Sequence, residues 1–294
     1  MTLDGNILEN LDCLVGMQNI QDNEIDIVIA DPPYNIGKNF GNDSDRQTLL
    51  NYIDWSKKWV LECQRVLKPS GTMFIYGFDE ILAHLSVLLP INKHRWLTWY
   101  YTNKNMVATN FWQRSHESIL CYWKENPIFN KDDVREPYTE RFLNGSAGKI
   151  RSITKTGRGG DKSTIYNANP LDALPRDVLR IPTLAGAKSL KERLMYCKSC
   201  GKQIFNKDRK NHLTHELIVH PTQKPLELTD RLIKSCRPKN NDFKVLIPFC
   251  GSGSECISTL KNNGTFIAFE LNPDYVLLAT KSIEHYLNKP EEET

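Results

Sequence analysis

At 294 residues with 40% apolar side chains the chain is long enough for one large core and a smaller insertion. It has no apolar run near the ~18 residues of a membrane span, and its opening MTLDGNILENLDCL lacks the basic-then-apolar order of a secretory signal. Eight cysteines, most of them isolated, do not make a secreted disulfide framework, so a reducing, cytoplasmic setting is expected. The net charge of +3 is small but unevenly spread: Lys131 to His215 holds 18 Lys/Arg against 9 Asp/Glu, a basic middle that fits contact with a polyanion and equally a solvated loop region.

Along the chain, the β-branched run Ile25–Ala30 predicts a strand that must stop at Asp31-Pro32-Pro33-Tyr34, where two prolines remove backbone donors. Asn51 to Leu67 has helical spacing, with Tyr52, Trp59, Cys63 and Val66 on one face. Lys68 to Gly71 is expected to close that helix before a strand over Thr72 to Tyr76. A helix over Phe78 to Leu89 and strands over Trp96 to Tyr101 and Ser118 to Trp123 follow. From about 126 to 218 periodicity dissolves into a basic stretch punctuated by Gly145, Gly148, Gly157, Gly159 and Gly160, and so long a loop-rich region points to function. Regular pattern returns with a helix over Leu226 to Cys236, a strand over Lys244 to Ile247, a glycine turn, a strand over Thr265 to Glu270 and a helix over Pro273 to Leu287. Strands alternating with helices predict an α/β fold with a doubly wound, mostly parallel sheet. Trp96, Trp99, Tyr100, Tyr101, Trp112 and Trp123 are expected in the core or in pocket walls. His84, His94, His116 and His285 are read as structural.

Three constellations carry chemistry. After the strand at 244–247, Phe249-Cys-Gly251-Ser-Gly253-Ser254 opens a helix, a turn that lets a cofactor approach the backbone closely. The next strand ends in Glu270, spaced to accept hydrogen bonds from ribose hydroxyls. Glu255 and Cys256 stand where the dinucleotide fingerprint has its third glycine, which counts against NAD and FAD.

The second constellation is Asp31-Pro32-Pro33-Tyr34, at the carboxyl end of a strand, where open α/β sheets bind ligands. An exocyclic amine on a base is a poor nucleophile, because its lone pair is delocalised into the ring. A carboxylate and a backbone carbonyl aimed at its two hydrogens would favour attack on a sulfonium methyl. Asp31 and the Pro32 carbonyl can supply those acceptors, and the Tyr34 ring can stack on an extruded base. Third, Cys197-Lys-Ser-Cys200 resembles a zinc-finger knuckle, with His212, His215 and His220 within reach as further ligands.

Asp31-Pro-Pro-Tyr34 followed far downstream by Phe249-Cys-Gly-Ser-Gly253 resembles the amino-group DNA methyltransferases, in the order of their β-class permutation. Asn10-Leu-Asp-Cys-Leu-Val-Gly-Met17, His220-Pro-Thr-Gln-Lys-Pro225 and Glu270-Leu-Asn-Pro-Asp-Tyr275 resemble further blocks of that family. The likeness covers roughly residues 8 to 125 and 176 to 287. It implies a Rossmann-like methyltransferase fold with permuted motif order, S-adenosylmethionine as cofactor and double-stranded DNA as substrate. It also implies a catalytic loop of Asp31, Pro32, Pro33 and Tyr34. Phe249, Cys250, Gly251, Ser252 and Gly253 would line the cofactor, with no chemistry assigned to Cys250. Glu270, Leu271 and Asn272 would lie at its ribose. Asp12, Cys13 and Asp31 would lie beside it, and Thr222, Gln223 and Lys224 near its methionine end.

On this reading residues 1–125 form the catalytic half, 126–219 a target-recognition insertion, and 220–294 the cofactor-binding half. A zinc module is expected over 195–216. Cys197, Cys200, His212 and His215 are the preferred ligands, since they leave His220 to the block before the cofactor half; His215 with His220 is the alternative pair. The module would brace or form part of the DNA-reading surface. An aspartate heading the tetrapeptide goes in this family mostly with N6 of adenine. N4 of cytosine and a non-catalytic DNA-binding protein remain alternatives. The resemblance also allows a homodimer and a cognate restriction endonuclease as partner.

Overall fold

The run Ile25–Ala30 is fully buried, which is what a strand covered on both faces by helices requires, and it lies at the centre of the main sheet. The structure, a computed structural model, describes residues 2–3, 5–40, 45–103, 108–151, 164–240 and 242–288. Gly157, Gly159 and Gly160 lie outside them. Contacts divide the chain into a large unit, 1–129 with 177–294, and a small one, Asn130–Arg176. The small unit is narrower than the 126–219 stretch set apart by composition, because residues 177–219 rejoin the large unit.

The large unit opens with strands β1 (Thr2–Leu3) and β2 (Asn6–Glu9), helix α1 (Cys13–Met17), β3 (Ile25–Ala30) and helix α2 (Leu49–Val66). Thr48 caps α2 through its hydroxyl, and Tyr52, Trp59, Cys63 and Val66 share its buried face as their spacing predicts. β4 (Leu67–Gly77) starts directly where α2 ends, so the expected closing turn at Lys68 to Gly71 is instead the first part of a strand. The register against β3 slips there, between Ile25 and Ile27, which lets Pro69 sit in the strand without a donor. Helix α3 (Asp79–Ser86) and strands β5 (His94–Tyr100) and β6 (His116–Trp123) complete this half.

In the small unit, helix α4 (Glu140–Gly145) is followed by the paired ends β7 (Ile150–Arg151) and β8 (Thr164–Ile165). Tyr138 stacks on Phe142 with ring centroids 4.6 Å apart, and Arg135 Nη1 donates to the Asp172 carbonyl.

The chain then adds β9 (Val178–Arg180), α5 (Gly186–Glu192), β10 (Leu194–Cys197), β11 (Lys202–Phe205) and β12 (Leu217–Ile218). It finishes with α6 (Leu226–Cys236), β13 (Lys244–Ile247), α7 (Ser254–Lys261), β14 (Thr265–Phe269) and α8 (Pro273–Leu287). The nine-stranded sheet runs β1-β2-β14-β13-β3-β4-β6-β5-β9, parallel from β2 to β4. β6 is antiparallel to both β4 and β5. From β3 the first half winds one way, and from β13 the second half winds the other, so the reversal point lies between β3 and β13. Asp31 and the glycine turn both leave the sheet at that edge. β10, β11 and β12 form a separate small sheet.

Two aromatics depart from expectation. Trp99 and Tyr101 are buried, but Trp112 is 87% exposed, within the stretch 108–113 whose residues are all exposed, and Trp96 lies at the surface because β5 lies near the sheet edge. Among the described residues no helix is long and apolar enough to cross a membrane.

Helix α1 approaches β14 so closely that a Cβ at Gly16 would lie 2.2 Å from the Phe269 ring. Gly16→Ala should therefore cost about 1–3 kcal/mol of overpacking and lower the melting temperature by several degrees. Thermal unfolding followed by circular dichroism checks it; an unchanged midpoint would mean that the ring moves aside freely.

Candidate active site

Asp31 is the first residue beyond β3, and both its carboxylate oxygens lie 2.7 Å from Lys224 Nζ. Lys224 is buried, and burial works against its ammonium. Asp31, followed by Glu117, outweighs burial and holds the lysine pKa above its ordinary value. The Tyr34 hydroxyl donates to Asp31 Oδ1 at 2.9 Å and reaches Glu117 Oε2 at 3.2 Å. Burial and these two carboxylates push the tyrosine pKa well up, so the phenol stays protonated as a donor. Tyr34 itself is buried with its ring edge-on to Phe78, so any base stacking there must occur inside the pocket rather than on an open face.

The loop is held from behind. Tyr52 donates to the Pro33 carbonyl at 2.6 Å. Asn35 takes a left-handed conformation at φ 57°. Buried Asp45 accepts the amides of Asn35, Ile36 and Lys38 at 2.5, 3.2 and 2.6 Å. Neither Asp45 nor Glu117 carries a sequence motif; only the fold brings them here.

At the other end, Glu270 accepts from the Gly251 amide at 2.9 Å and the Asn272 amide at 2.8 Å, and burial raises its pKa. Gly251 has φ 54°, and a Cβ there would lie 2.8 Å from His220 Nε2. Gly253, at φ 82°, caps α7 against Ala279. Phe249 packs edge-on to Trp59 at 5.3 Å. Asp12 caps α1, accepting from the Leu14 amide at 2.8 Å.

One pocket is lined by Asp12, Cys13, Asp31, Pro32, Pro33, Tyr34, Thr222, Gln223, Lys224, Phe249, Cys250, Gly251, Ser252, Glu270 and Leu271. Gly253 and Asn272 stand behind its wall, Asn272 as the cap of α8 with its amide donating to the Phe40 carbonyl. Gln223 lines the pocket but is anchored outward, accepting from the Leu194 amide and donating to the Glu192 carbonyl. Lys224, expected at the methionine end, is committed to Asp31. Ile36, Lys38, Trp55 and His220 also line the pocket.

So does Glu255, read from sequence only as a missing glycine. It is buried, Ser254 donates to its Oε2 at 2.8 Å, and its Oε1 has no hydrogen-bond partner among the described residues. Burial, and then the charge of Asp31, push its pKa up to about 7.

The ligand atoms of Cys197, Cys200, His212 and His215 lie within 4.8 Å of one another. His220 is not among them. Its ring packs edge-on to Tyr275 at 4.8 Å, and burial followed by the charge of Lys224 pushes its pKa down to about 3, which keeps it neutral.

A family model described as a DNA methylase, N6_N4_Mtase, matches residues 25–281. The chain is 28% identical over 278 residues to the type II methyltransferase M.HpaI of Haemophilus parainfluenzae, covering 92% of this chain and 72% of that protein. It is 26% identical over 284 residues to the DNA adenine methyltransferase YhdJ of Escherichia coli strain K12, covering 94% and 82%. Among solved structures, the cytosine-N4-specific PvuII DNA methyltransferase superposes with a TM-score of 0.63 at 14% identity, over 99% of this chain and 90% of that one. A putative DNA modification methylase of Thermus thermophilus, complexed with S-adenosyl-L-methionine, gives 0.54 at 16% identity over 97% of both chains.

The folded-state pKa of Glu255, about 7, lies above the ordinary 4.5, so folding retains a proton that the unfolded chain releases. That contribution is intact below pH 4.5 and is lost as pH rises through 7. Glu255→Gln should therefore raise stability at pH 8, by up to roughly 3 kcal/mol, with the gain shrinking as pH falls to 4.5. Urea unfolding across that range checks it, and a pH-independent difference would show a carboxyl that titrates normally.

Proposed function

As this chain belongs to the DNA methylase family whose model spans most of its length, we propose that it methylates N6 of an adenine flipped out of double-stranded DNA. It is an S-adenosylmethionine-dependent DNA methyltransferase of the N6/N4 amino-methylase class. The base, the flipping and the individual residue roles are the proposal.

The observation that carries it is the acceptor geometry at Asp31. A carboxylate has about four lone-pair directions. Lys224 takes one on each oxygen and Tyr34 a second on Oδ1, which among the described residues leaves one on Oδ2. An exocyclic amine carries two hydrogens. One would go to that free direction, and the other to the Pro32 carbonyl on the loop that Tyr52 and Asp45 hold in place. Both acceptors draw the nitrogen out of ring conjugation, so its lone pair can attack. S-adenosylmethionine supplies the electrophile, a methyl on a sulfonium; transfer yields S-adenosylhomocysteine, the methylated amine and one released proton.

The donor set fits that cofactor. The glycine turn offers bare backbone, Glu270 is an acceptor at the end of β14, and Phe249, Trp55 and Leu271 give apolar walls. The basic stretch 131–215, including exposed Lys207, Arg209 and Lys210, would meet the phosphate backbone, with Asn130–Arg176 as part of the target-reading region. Cys197, Cys200, His212 and His215 would hold one structural zinc that takes no part in the chemistry. The likeness to type II methyltransferases supports a cytoplasmic role beside a cognate restriction endonuclease.

The test is transfer from labelled S-adenosylmethionine into unmethylated DNA, followed by nuclease digestion to nucleosides. N6-methyladenine is expected, and Asp31→Asn should lower turnover at least ~100-fold. N4-methylcytosine would keep the acceptor geometry and overturn the choice of base. No incorporation would favour a non-catalytic DNA-binding protein.

A further inference from the structure

The small sheet β10–β12 is short, with strands of four, four and two residues, and its buried apolar side chains are Leu194, Met195, Cys197, Ile204 and Ile218. So little core seldom holds a fold by itself; small modules need a staple. The four ligand atoms within 4.8 Å are placed to be one. Cys197 ends β10, Cys200 lies in the turn that Gly201 closes at φ 67°, His212 ends a 3-10 turn over Asn206–His212, and His215 follows it. The His215 ring nitrogen Nδ1 is already 3.2 Å from Cys197 Sγ. Ligands about 2.0–2.3 Å from a tetrahedral zinc lie roughly 3.3–3.8 Å apart, so occupancy needs only a small contraction.

What the quartet would staple is the cofactor half. β12 begins two residues after His215, pairs with β10 through Cys197–Leu217 and Tyr196–Ile218, and runs directly into His220 and Lys224. Its Ile218 packs with Tyr275 and Leu278 of α8. Lys198, between the two cysteines, bridges Glu216 at 2.9 Å and Asp274 at 2.8 Å, the second residue of α8. Arg193, just before β10, donates to the His220 carbonyl at 2.8 Å. His220 in turn lies under Gly251. The inner face of the module therefore fixes both the 220–224 segment and the start of α8, whose Tyr275 packs on His220 and with it lines the pocket.

We propose that zinc at Cys197, Cys200, His212 and His215 sets the enzyme's affinity for S-adenosylmethionine, by holding His220–Lys224 and the α8 N-terminus in their binding positions. This rests on the reading that the quartet binds zinc. It makes the module a support of the cofactor pocket, where the basic outer surface alone would suggest a DNA-reading element.

The experiment measures zinc per chain by mass spectrometry, then S-adenosylhomocysteine and DNA affinity by calorimetry and anisotropy. It compares the enzyme as isolated, stripped by a chelator and reloaded with zinc chloride. The expected result is about one zinc per chain, a loss of at least tenfold in S-adenosylhomocysteine affinity on stripping, and recovery on reloading. Zinc present but cofactor affinity unchanged on stripping overturns the proposal while the metal site stands. No zinc as isolated and none taken up on loading overturns the metal site itself. If stripping unfolds the chain, Ile218→Ala decides. With zinc retained, its cofactor affinity should fall severalfold; unchanged affinity would overturn the link to the pocket.

Discussion

The ion pair between Lys224 and Asp31 is the constraint around which the site is organised. Both groups are withdrawn from water, and removing either partner would leave the other as an uncompensated buried charge. The pair therefore obliges the segment after β12 to lie over the end of β3, at the sheet's reversal point. Tyr34, Glu117 and Glu255 arrange themselves about it: a neutral donor to Asp31, a carboxylate behind that donor, and a carboxyl whose pKa is raised by burial and then by the charge of Asp31. Both oxygens of Asp31 are thereby oriented before any substrate arrives, which is what preorganised electrostatics requires.

The two ends of the pocket use different physics. At Glu270 the acceptor is fixed by two backbone amides from its own neighbourhood, Gly251 and Asn272, so its orientation depends on the glycine turn. At Asp31 orientation comes from side chains: Tyr34 of its own loop, and Lys224, 193 residues away. Backbone amides govern the first and a long-range ion pair the second.

That difference explains what could be read from sequence. β3, α6, β13, β14 and α8 were legible because apolar runs and helical spacing extend across each element. The glycine turn and the Asp31 loop were legible because chemistry demands particular residues at fixed spacing. Strands of two to four residues, β9 to β12, carry too few positions to show a period, so the stretch 177–219 looked patternless although it rejoins the large unit. The start of β4 was hidden by Pro69 and Gly71, residues that punctuate chains but here accommodate a register slip. Glu117, Asp45 and Glu255 belong to no motif: Glu117 and Glu255 come near Asp31 only because distant elements converge, and Asp45 acts through backbone amides of its own loop. Trp112 shows the converse: hydrophobicity predicted burial, but it lies in the stretch 108–113 whose residues are all exposed.

The permuted order also governs when the enzyme comes into being. Asp31 and Lys224 are 193 residues apart, and β2 finds its partner β14, pairing Ile7 with Ile267, only near the far end of the chain. A nascent chain emerging from the ribosome would expose Asp31-Pro-Pro-Tyr34 long before the lysine that pairs with Asp31 or the glycine turn that lines the same pocket. Because such long-range contacts form late, a chain stalled or cleaved before residue 220 keeps the motif but lacks the assembled site. Incomplete synthesis therefore yields silent fragments rather than unregulated ones.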